Sequence, residues 1–276
     1  MWPLRGLRNG VLTTRWPARP DEYATATRGP VTVRTPSGSV APGADAARLC
    51  PTGAIGVAAS GAVRVDQGRC ILCGRCVAAR PDVFRWSAGP GQAALSRAGL
   101  VVPGEETPES LAAVTDGLRA RTRALRRSVH LRHVDTGSDG SEEWEILALL
   151  NPVYDIHRLG MFVTASPRHA DILLVTGSGA SGMAEPLRQT YEAMPHPKVV
   201  IAIGTDAVGG AVIGPLDAAA VTTTSGGVGG IVPVDVWLPG SPPSPFAILS
   251  ALLLALNRLP APPTSTVPSA RRGGAR

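Results

Sequence analysis

The chain has 276 residues, 44% of them hydrophobic and only 4% aromatic, with 32 glycines and 26 prolines; this describes a loop-rich globular chain, long enough for one large or two ordinary domains around a real core. Charge is uneven: residues 1–134 carry 19 arginines against 9 acids, whereas residues 135–276 carry 8 basic side chains against 12 acids. The arginines are scattered and few aromatics interleave them, so nucleic-acid binding is not expected; the densest run, 118–133, reads as a solvated helix face or a docking surface for another subunit.

Residues 1–40 are rich in Thr, Arg and Pro and are expected to form an extended arm. Arg5 and Arg8 are followed by no apolar segment, so no secretory signal is expected. Residues 41–100 hold a compact cysteine unit. Residues 101–128 read as a linker dominated by a helix, with Thr107 as N-cap, Pro108 at its first position and acids in its first turn. From 129 to 259 the texture becomes α/β. Strands are expected over 128–135, 170–177, 198–204 and 230–239, and helices over 143–160, 182–194 and 245–259. Apolar strands alternating with helices imply a parallel sheet covered on both faces. The apolar run 245–259 is shorter than the ~20 residues that cross a bilayer. The tail, 260–276, is expected to be disordered.

All four cysteines fall between Cys50 and Cys76. That clustering points to a metal site and a reducing cytoplasm rather than to a disulfide framework. "RCILCGRC" spaces Cys70, Cys73 and Cys76 as C-x2-C-x2-C, and an iron–sulfur cubane needs a fourth thiolate. In two-cluster bacterial ferredoxins the cysteine of a Cys-Pro pair ligates the other motif's cluster. Cys50, in "CPTGAI", is therefore expected to complete one 4Fe-4S cluster. The ligands of a second cluster would fall at Val40, Gly43, Ala46 and Arg80, and none is a cysteine, so one cluster and no second is expected. Arg69 and Arg75 would raise the potential of an anionic cluster. A zinc site and simple structural thiols are the alternatives.

Gly177, Gly179 and Gly182 form a G-x-G-x-x-G pattern between a strand and a helix, and Asp206 ends the next strand. This is the outline of a nucleotide- or flavin-binding turn. The bland alternative is a glycine-rich strand-to-helix connection.

A longer pattern bears on the second half. "RHVDTGSDGSEEWEILALLNPVYDIHRLG", "TASPRHADILLVTG", "MAEPLRQTYEAMP", "VVIAIGTDAVGG" and "IVPVDVWLPGSPPSP" run in order. Together they resemble the small, 20 kDa-type subunit of formate-hydrogenlyase-type membrane-bound NiFe hydrogenases and of NADH–quinone oxidoreductase. "LRGLRNGVLTTRWP" and the cysteine unit are similar to the ferredoxin-type partner subunit of those complexes. The resemblance implies a flavodoxin-like α/β domain after a small α+β ferredoxin-like domain. It also implies a second 4Fe-4S cluster, the proximal one, on four cysteines of the α/β domain. At those places this chain has Asp139, Glu142, Asp206 and Ser241, so that cluster is not expected. A hard divalent ion among the carboxylates is an alternative to a pocket simply refilled with polar groups. The resemblance keeps Tyr154, Asp155 and Arg158, has His157 where an acid is common, and sets His133 and His169 in family-like contexts; each is expected to be a packing residue rather than a proton relay.

The function expected is that of a non-catalytic electron-transfer subunit. It would stand in a hydrogenase-related or complex-I-like oxidoreductase at the cytoplasmic face of the membrane, partnered by the large subunit and the membrane arm. The alternatives are a structural docking subunit that conducts no electrons through its second domain, and a nucleotide-binding oxidoreductase.

Overall fold

The fully apolar runs ILLVT and VVIAI become adjacent parallel strands buried on both faces, as β-branched and aliphatic residues without polar alternation require. They are β8 (Ile172–Thr176) and β9 (Val199–Ile203), the centre of a five-stranded sheet that also contains β6 (Val129–Asp135), β7 (Met161–Val163) and β10 (Val236–Leu238). The order is β10-β9-β8-β6-β7 and every pairing is parallel. Counted from β6 this is the 2-1-3-4-5 order of the flavodoxin-like fold, whose direction of winding reverses between β6 and β8. The computed structural model describes residues 6, 8, 10–34, 45–57, 62–104, 106–125, 128–210 and 226–259.

Helices cover both faces of the sheet. One core contains Ile146 and Leu149 around α5 (Ser141–Ala148) together with the whole of α8 (Pro245–Ala255). All eleven residues of α8 are buried. A helix apolar all round needs cover on every side, and it receives it. Trp16 and Tyr154 pack edge-on against Phe246, and α4 (Pro108–Thr122) adds Leu118. The opposite core takes Leu187 from α6 (Ser181–Ala193) and Ala207 and Val208 from α7 (Thr205–Gly209).

Two expected elements come out shorter. The helix expected over 143–160 stops at Ala148, because Pro152 disfavours a helical Asn151 and the Asn151 side chain instead accepts the Val153 N–H at 3.0 Å. The strand expected over 230–239 pairs only over 236–238, since Pro233 has no N–H for a ladder. Thr107 caps α4 as expected, accepting from the Ser110 N–H at 3.2 Å.

The cysteine unit contains two small antiparallel sheets, β1 (Arg28–Val33) with β4 (Phe84–Ala88), and β2 (Ile55–Val57) with β3 (Val63–Asp66) and β5 (Val101–Val102). The stretch expected as an extended arm thus includes, among its described residues, β1 and the helix α1 (Glu22–Ala26). Short helices α2 (Asp45–Arg48) and α3 (Arg75–Ala79) complete the unit. Residues 260–276, expected as a disordered tail, lie outside the described residues.

The two units meet closely. A Cβ on Gly68 would stand 2.8 Å from Val208, and one on Gly209 would stand 2.8 Å from the Gly68 carbonyl oxygen. Ala94 and Trp237 exchange two backbone hydrogen bonds of 2.9 and 2.8 Å, which covers the open edge of β10.

Candidate functional site: a thiol-lined cavity beside an oxygen-lined pocket

Cys50, Cys70, Cys73 and Cys76 all line one cavity, together with Val31, Leu49, Ala54, Ile55 and Val65. The loop bends inward at Leu72 (φ +57°) and Gly74 (φ +75°). Left-handed backbone costs a leucine about 1 kcal/mol, and such strain is retained where a loop must wrap something. Gly74 is required twice over, since a Cβ there would also lie 2.8 Å from the Trp86 ring. The loop bearing Cys50 is tied to the Cys70 loop by the Thr52 hydroxyl, which donates to the Arg69 carbonyl at 2.6 Å. The Ala54 N–H points at the Cys50 sulfur at 3.2 Å.

All four thiols are free, with Cys70 and Cys76 buried, Cys50 half-buried and Cys73 exposed. Burial pushes the Cys76 thiol up to about 11, with the neighbouring cysteines adding repulsion. Cys70 is raised for the same first reason, opposed by N–H groups of Val31 and Leu72. Four thiolates around an apolar cavity are unfavourable on their own and become favourable around a cationic metal core. The donor set therefore suits a soft, multi-iron centre. Among the described residues no three His, Cys, Asp or Glu side chains converge tightly enough to hold a single ion.

At the positions implied for a second ferredoxin cluster, Arg80 makes a two-pronged, exposed pair with Asp82 (Nη2 to Oδ2, 2.7 Å) and Ala46 is buried in α2. Val40 and Gly43 lie outside the described residues.

The oxygen-lined pocket lies at the carboxyl ends of β6, β9 and β10, from which ligands are bound in this fold. Glu142, in the first turn of α5, is 1% exposed. Its carboxylate lies against Gly204, where a Cβ would be 2.5 Å from Oε1. Burial, then the charges of Asp206 and Asp139, raise its pKa to about 7. Asp206 is raised by burial and by Asp139. Asp139 is exposed and is lowered by hydrogen bonds from Ser141. Ser241 is exposed after Gly240, whose N–H donates to Thr205 Oγ1 at 3.0 Å. The structure thus gathers the three carboxylates into one electrostatic group, and ties Gly240, the residue before Ser241, to Thr205 beside Asp206. No thiol is present, so the residues do not fit an iron–sulfur cubane. Nor, among the described residues, do the carboxylates converge as a divalent-ion site.

Beside this pocket is a network that the sequence reading missed. His133 Nε2 lies 2.9 Å from Thr176 Oγ1 and 3.3 Å from Glu143 Oε1, Thr176 donates to Glu143, and Ser138 donates to Glu143 at 2.9 Å. Burial lowers the His133 pKa, against the pull of Glu143. The network spans the gap between β6 and β8, so only the fold brings its members together.

The other histidines do not join it. His169 is exposed in the turn before β8, at the amino end of that strand and so away from the network at its carboxyl end. His157 lies near Asp155 and Phe162. Arg158 donates to the carbonyls of Trp16 and Tyr154, pinning the chain's first residues to the sheet domain.

The glycine turn is occupied by its own protein. Ser178, Gly179 and Ala180 donate their N–H groups to the Gly137 carbonyl, the Thr136 hydroxyl and the Thr136 carbonyl at 3.1, 3.2 and 2.9 Å. Gly177 (φ +81°) packs so closely that a Cβ would be 2.7 Å from the Gly137 backbone. These three N–H donors of the turn are thus used within the protein.

Fold and site together define a flavodoxin-like domain joined to a small four-cysteine unit. Residues 140–255 match the family model of the NADH ubiquinone oxidoreductase 20 kDa subunit. The "Probable membrane-bound hydrogenase subunit mbhJ" of Pyrococcus furiosus is 43% identical over 142 residues, which cover 49% of this chain and 78% of that protein. Formate hydrogenlyase subunit 7 of Escherichia coli is 37% identical, covering 58% of this chain and 60% of that protein. The NAD(P)H-quinone oxidoreductase subunit K of a Synechococcus strain is 42% identical, covering 40% and 43%. The chain belongs to this 20 kDa-subunit family, as the sequence resemblance implied. The family match covers the sheet domain from just after β6 onward and not the cysteine unit.

Proposed function

We propose that this chain is an electron-transfer subunit of a hydrogenase-related or complex-I-like membrane oxidoreductase, carrying one 4Fe-4S cluster on Cys50, Cys70, Cys73 and Cys76 in a ferredoxin-like unit. The observation that supports it most is the convergence of all four cysteines on one cavity. A zinc ion on the same four thiols is the alternative that the test below separates. The centre would supply reversible one-electron chemistry, while the chain's own residues shield it, donate N–H groups to its sulfurs and set its surroundings.

In this reading the sheet domain holds the large subunit. Trp144, Leu147, Leu150 and Val153 are exposed on and just after α5. Exposed Val11 and Leu12 run beside them, because Thr14 N–H bonds to the Val153 carbonyl at 2.8 Å. Such an apolar patch fits a subunit interface. No helix among the described residues is long and apolar enough to cross a membrane, so attachment to the cytoplasmic face of a membrane arm would run through partners. The thiol-free pocket favours a second reading, a docking subunit through whose sheet domain no electrons pass.

Anaerobic purification followed by iron, sulfide and zinc analysis and EPR of the reduced protein tests the proposal. One 4Fe-4S signal, lost in Cys73→Ala, is expected. A protein holding one zinc and no iron overturns it.

A further inference from the structure

We propose that Glu142 is a redox-linked proton site, whose carboxylate takes up one proton from solvent as the centre on the four cysteines is reduced. The inference rests on the cluster reading above and adds a proton to its electron chemistry. Glu142 is 1% exposed and stands against the wall between the two units. Its Oε1 lies so close to Gly204 that a Cβ there would be 2.5 Å away. The next residue, Thr205, donates its hydroxyl to the Cys70 carbonyl at 3.0 Å. A buried carboxyl so near a ligand loop feels charge added there through protein rather than through water.

The groups that face Glu142 are acidic or neutral. Asp139 comes from the preceding loop and Asp206 from α7, and both repel its charge. Ser141 and Glu143 share its helix, and Glu143 is already engaged by Thr176 and His133. β9 presents the Gly204 backbone, and α8 carries no charged side chain. Arg69 packs its stem on Gly209, at the far end of α7. Among the described residues no Arg, Lys or His pairs with Glu142, Asp139 or Asp206. Negative charge added at Cys70 therefore meets more negative charge on this side of the wall, which favours a protonated carboxyl. Burial already places the Glu142 pKa at about 7, so a further rise draws a proton from neutral solution.

A route to solvent is in place. Ser141 Oγ lies 2.6 Å from Oδ1 of exposed Asp139 and 3.1 Å from Glu142 Oε2. One hydroxyl can accept from the first carboxyl while donating to the second. The electron comes from a one-electron donor, dithionite acting through mediator dyes in the test. The donor is oxidised by one electron and the centre reduced by one. One O–H bond of hydronium breaks and one forms on Glu142 Oε2.

The test is a redox titration of the full chain, purified with its centre and followed by EPR across the neutral pH range. The midpoint potential is expected to stay level below about pH 7, where Glu142 already holds its proton. Above that pH it should fall by up to about 59 mV for each tenfold drop in proton concentration. The slope is expected to vanish in Glu142→Gln and to persist in Glu185→Gln, exposed on α6. The reduced-minus-oxidised infrared difference spectrum of the unaltered chain should gain a protonated-carboxyl band. Absence of the EPR signal in the unaltered chain would overturn the cluster reading itself. An intact signal with a pH-independent potential, or with a slope that survives Glu142→Gln, overturns the proton site alone. So does an infrared difference without a carboxyl band, the measurement that decides the matter if Glu142→Gln fails to hold the centre.

Discussion

The cavity of Cys50, Cys70, Cys73 and Cys76 and the pocket of Glu142 and Asp206 share one wall. The Thr205 hydroxyl donates to the Cys70 carbonyl at 3.0 Å, and the next residue is Asp206. On one side the donors are soft sulfurs around an apolar hole. On the other they are hard oxygens, with the Glu142 carboxyl packed onto Gly204. Both regions set buried and half-buried donors at loops and at the first turns of helices, Cys76 on α3 and Glu142 and Asp206 on α5 and α7, so scaffold alone does not decide which could hold an iron–sulfur centre. Ligand softness decides it, and in this chain the two regions have diverged on that property.

The comparison breaks most visibly in iron content. Cys70→Ser and Cys76→Ser should each abolish bound iron and sulfide, whereas Asp139→Asn, Asp206→Asn and Ser241→Ala should leave both unchanged. Iron that survives the cysteine changes and disappears with the aspartate changes would reverse the assignment. A gain-of-function form is sharper. If the sheet domain lacks only soft donors, the combined Asp139→Cys, Glu142→Cys, Asp206→Cys and Ser241→Cys chain should bind about twice the iron of the unaltered protein, with a second EPR signal. Iron unchanged in a folded quadruple variant would mean that the scaffold around the pocket has diverged as well.

What the sequence revealed of this pair follows from which signals are local. C-x2-C-x2-C and the upstream Cys-Pro lie on short loops, so their convergence could be anticipated from spacing. The buried strands β8 and β9 announced themselves as apolar runs, and their order then followed from family resemblance. The pairing of β1 with β4 was not legible, because it joins residues more than fifty apart and begins in a stretch that reads as polar arm. Nor was the wall between the sites, which depends on Gly68 and Gly209 letting two backbones touch. Glu143 was overlooked for a similar reason. Its role comes from Thr176 and His133 on two different strands.

The oxygen-lined pocket should also make stability depend on pH. Glu142 has a folded pKa of about 7 against an ordinary value of 4.5, so folding favours its protonated form. The stabilisation from that proton is complete below the unfolded value and is lost as pH rises through the folded one. The shift corresponds to about 3 kcal/mol. Asp206, also raised, acts in the same direction. Denaturant titrations should therefore show Glu142→Gln gaining up to that amount over the unaltered chain at pH 8.5 and little at pH 4.5. Parallel curves at both pH values would mean that Glu142 is solvated and the pocket open.

The smallest effect expected concerns the glycine turn that borders the pocket. If Gly177 serves chain packing, Gly177→Ala should destabilise the fold by roughly 1–3 kcal/mol from left-handed backbone strain, with further cost from the contact of 2.7 Å to Gly137. Gly182→Ala, where a Cβ meets nothing within 4 Å, should be neutral or slightly stabilising, because alanine favours the helix it occupies by about 1 kcal/mol over glycine. A nucleotide-binding turn behaves differently, since there the third glycine permits close helix–strand packing and its loss impairs ligand binding. Thermal shifts of both variants with and without NADH and flavin mononucleotide separate the two cases. Stabilisation of the unaltered chain by either ligand, abolished at Gly182→Ala, would return the turn to nucleotide chemistry. Indifference to both ligands, with a penalty confined to Gly177, leaves it as the hinge that presses the β6 and β8 loops together beside Glu143.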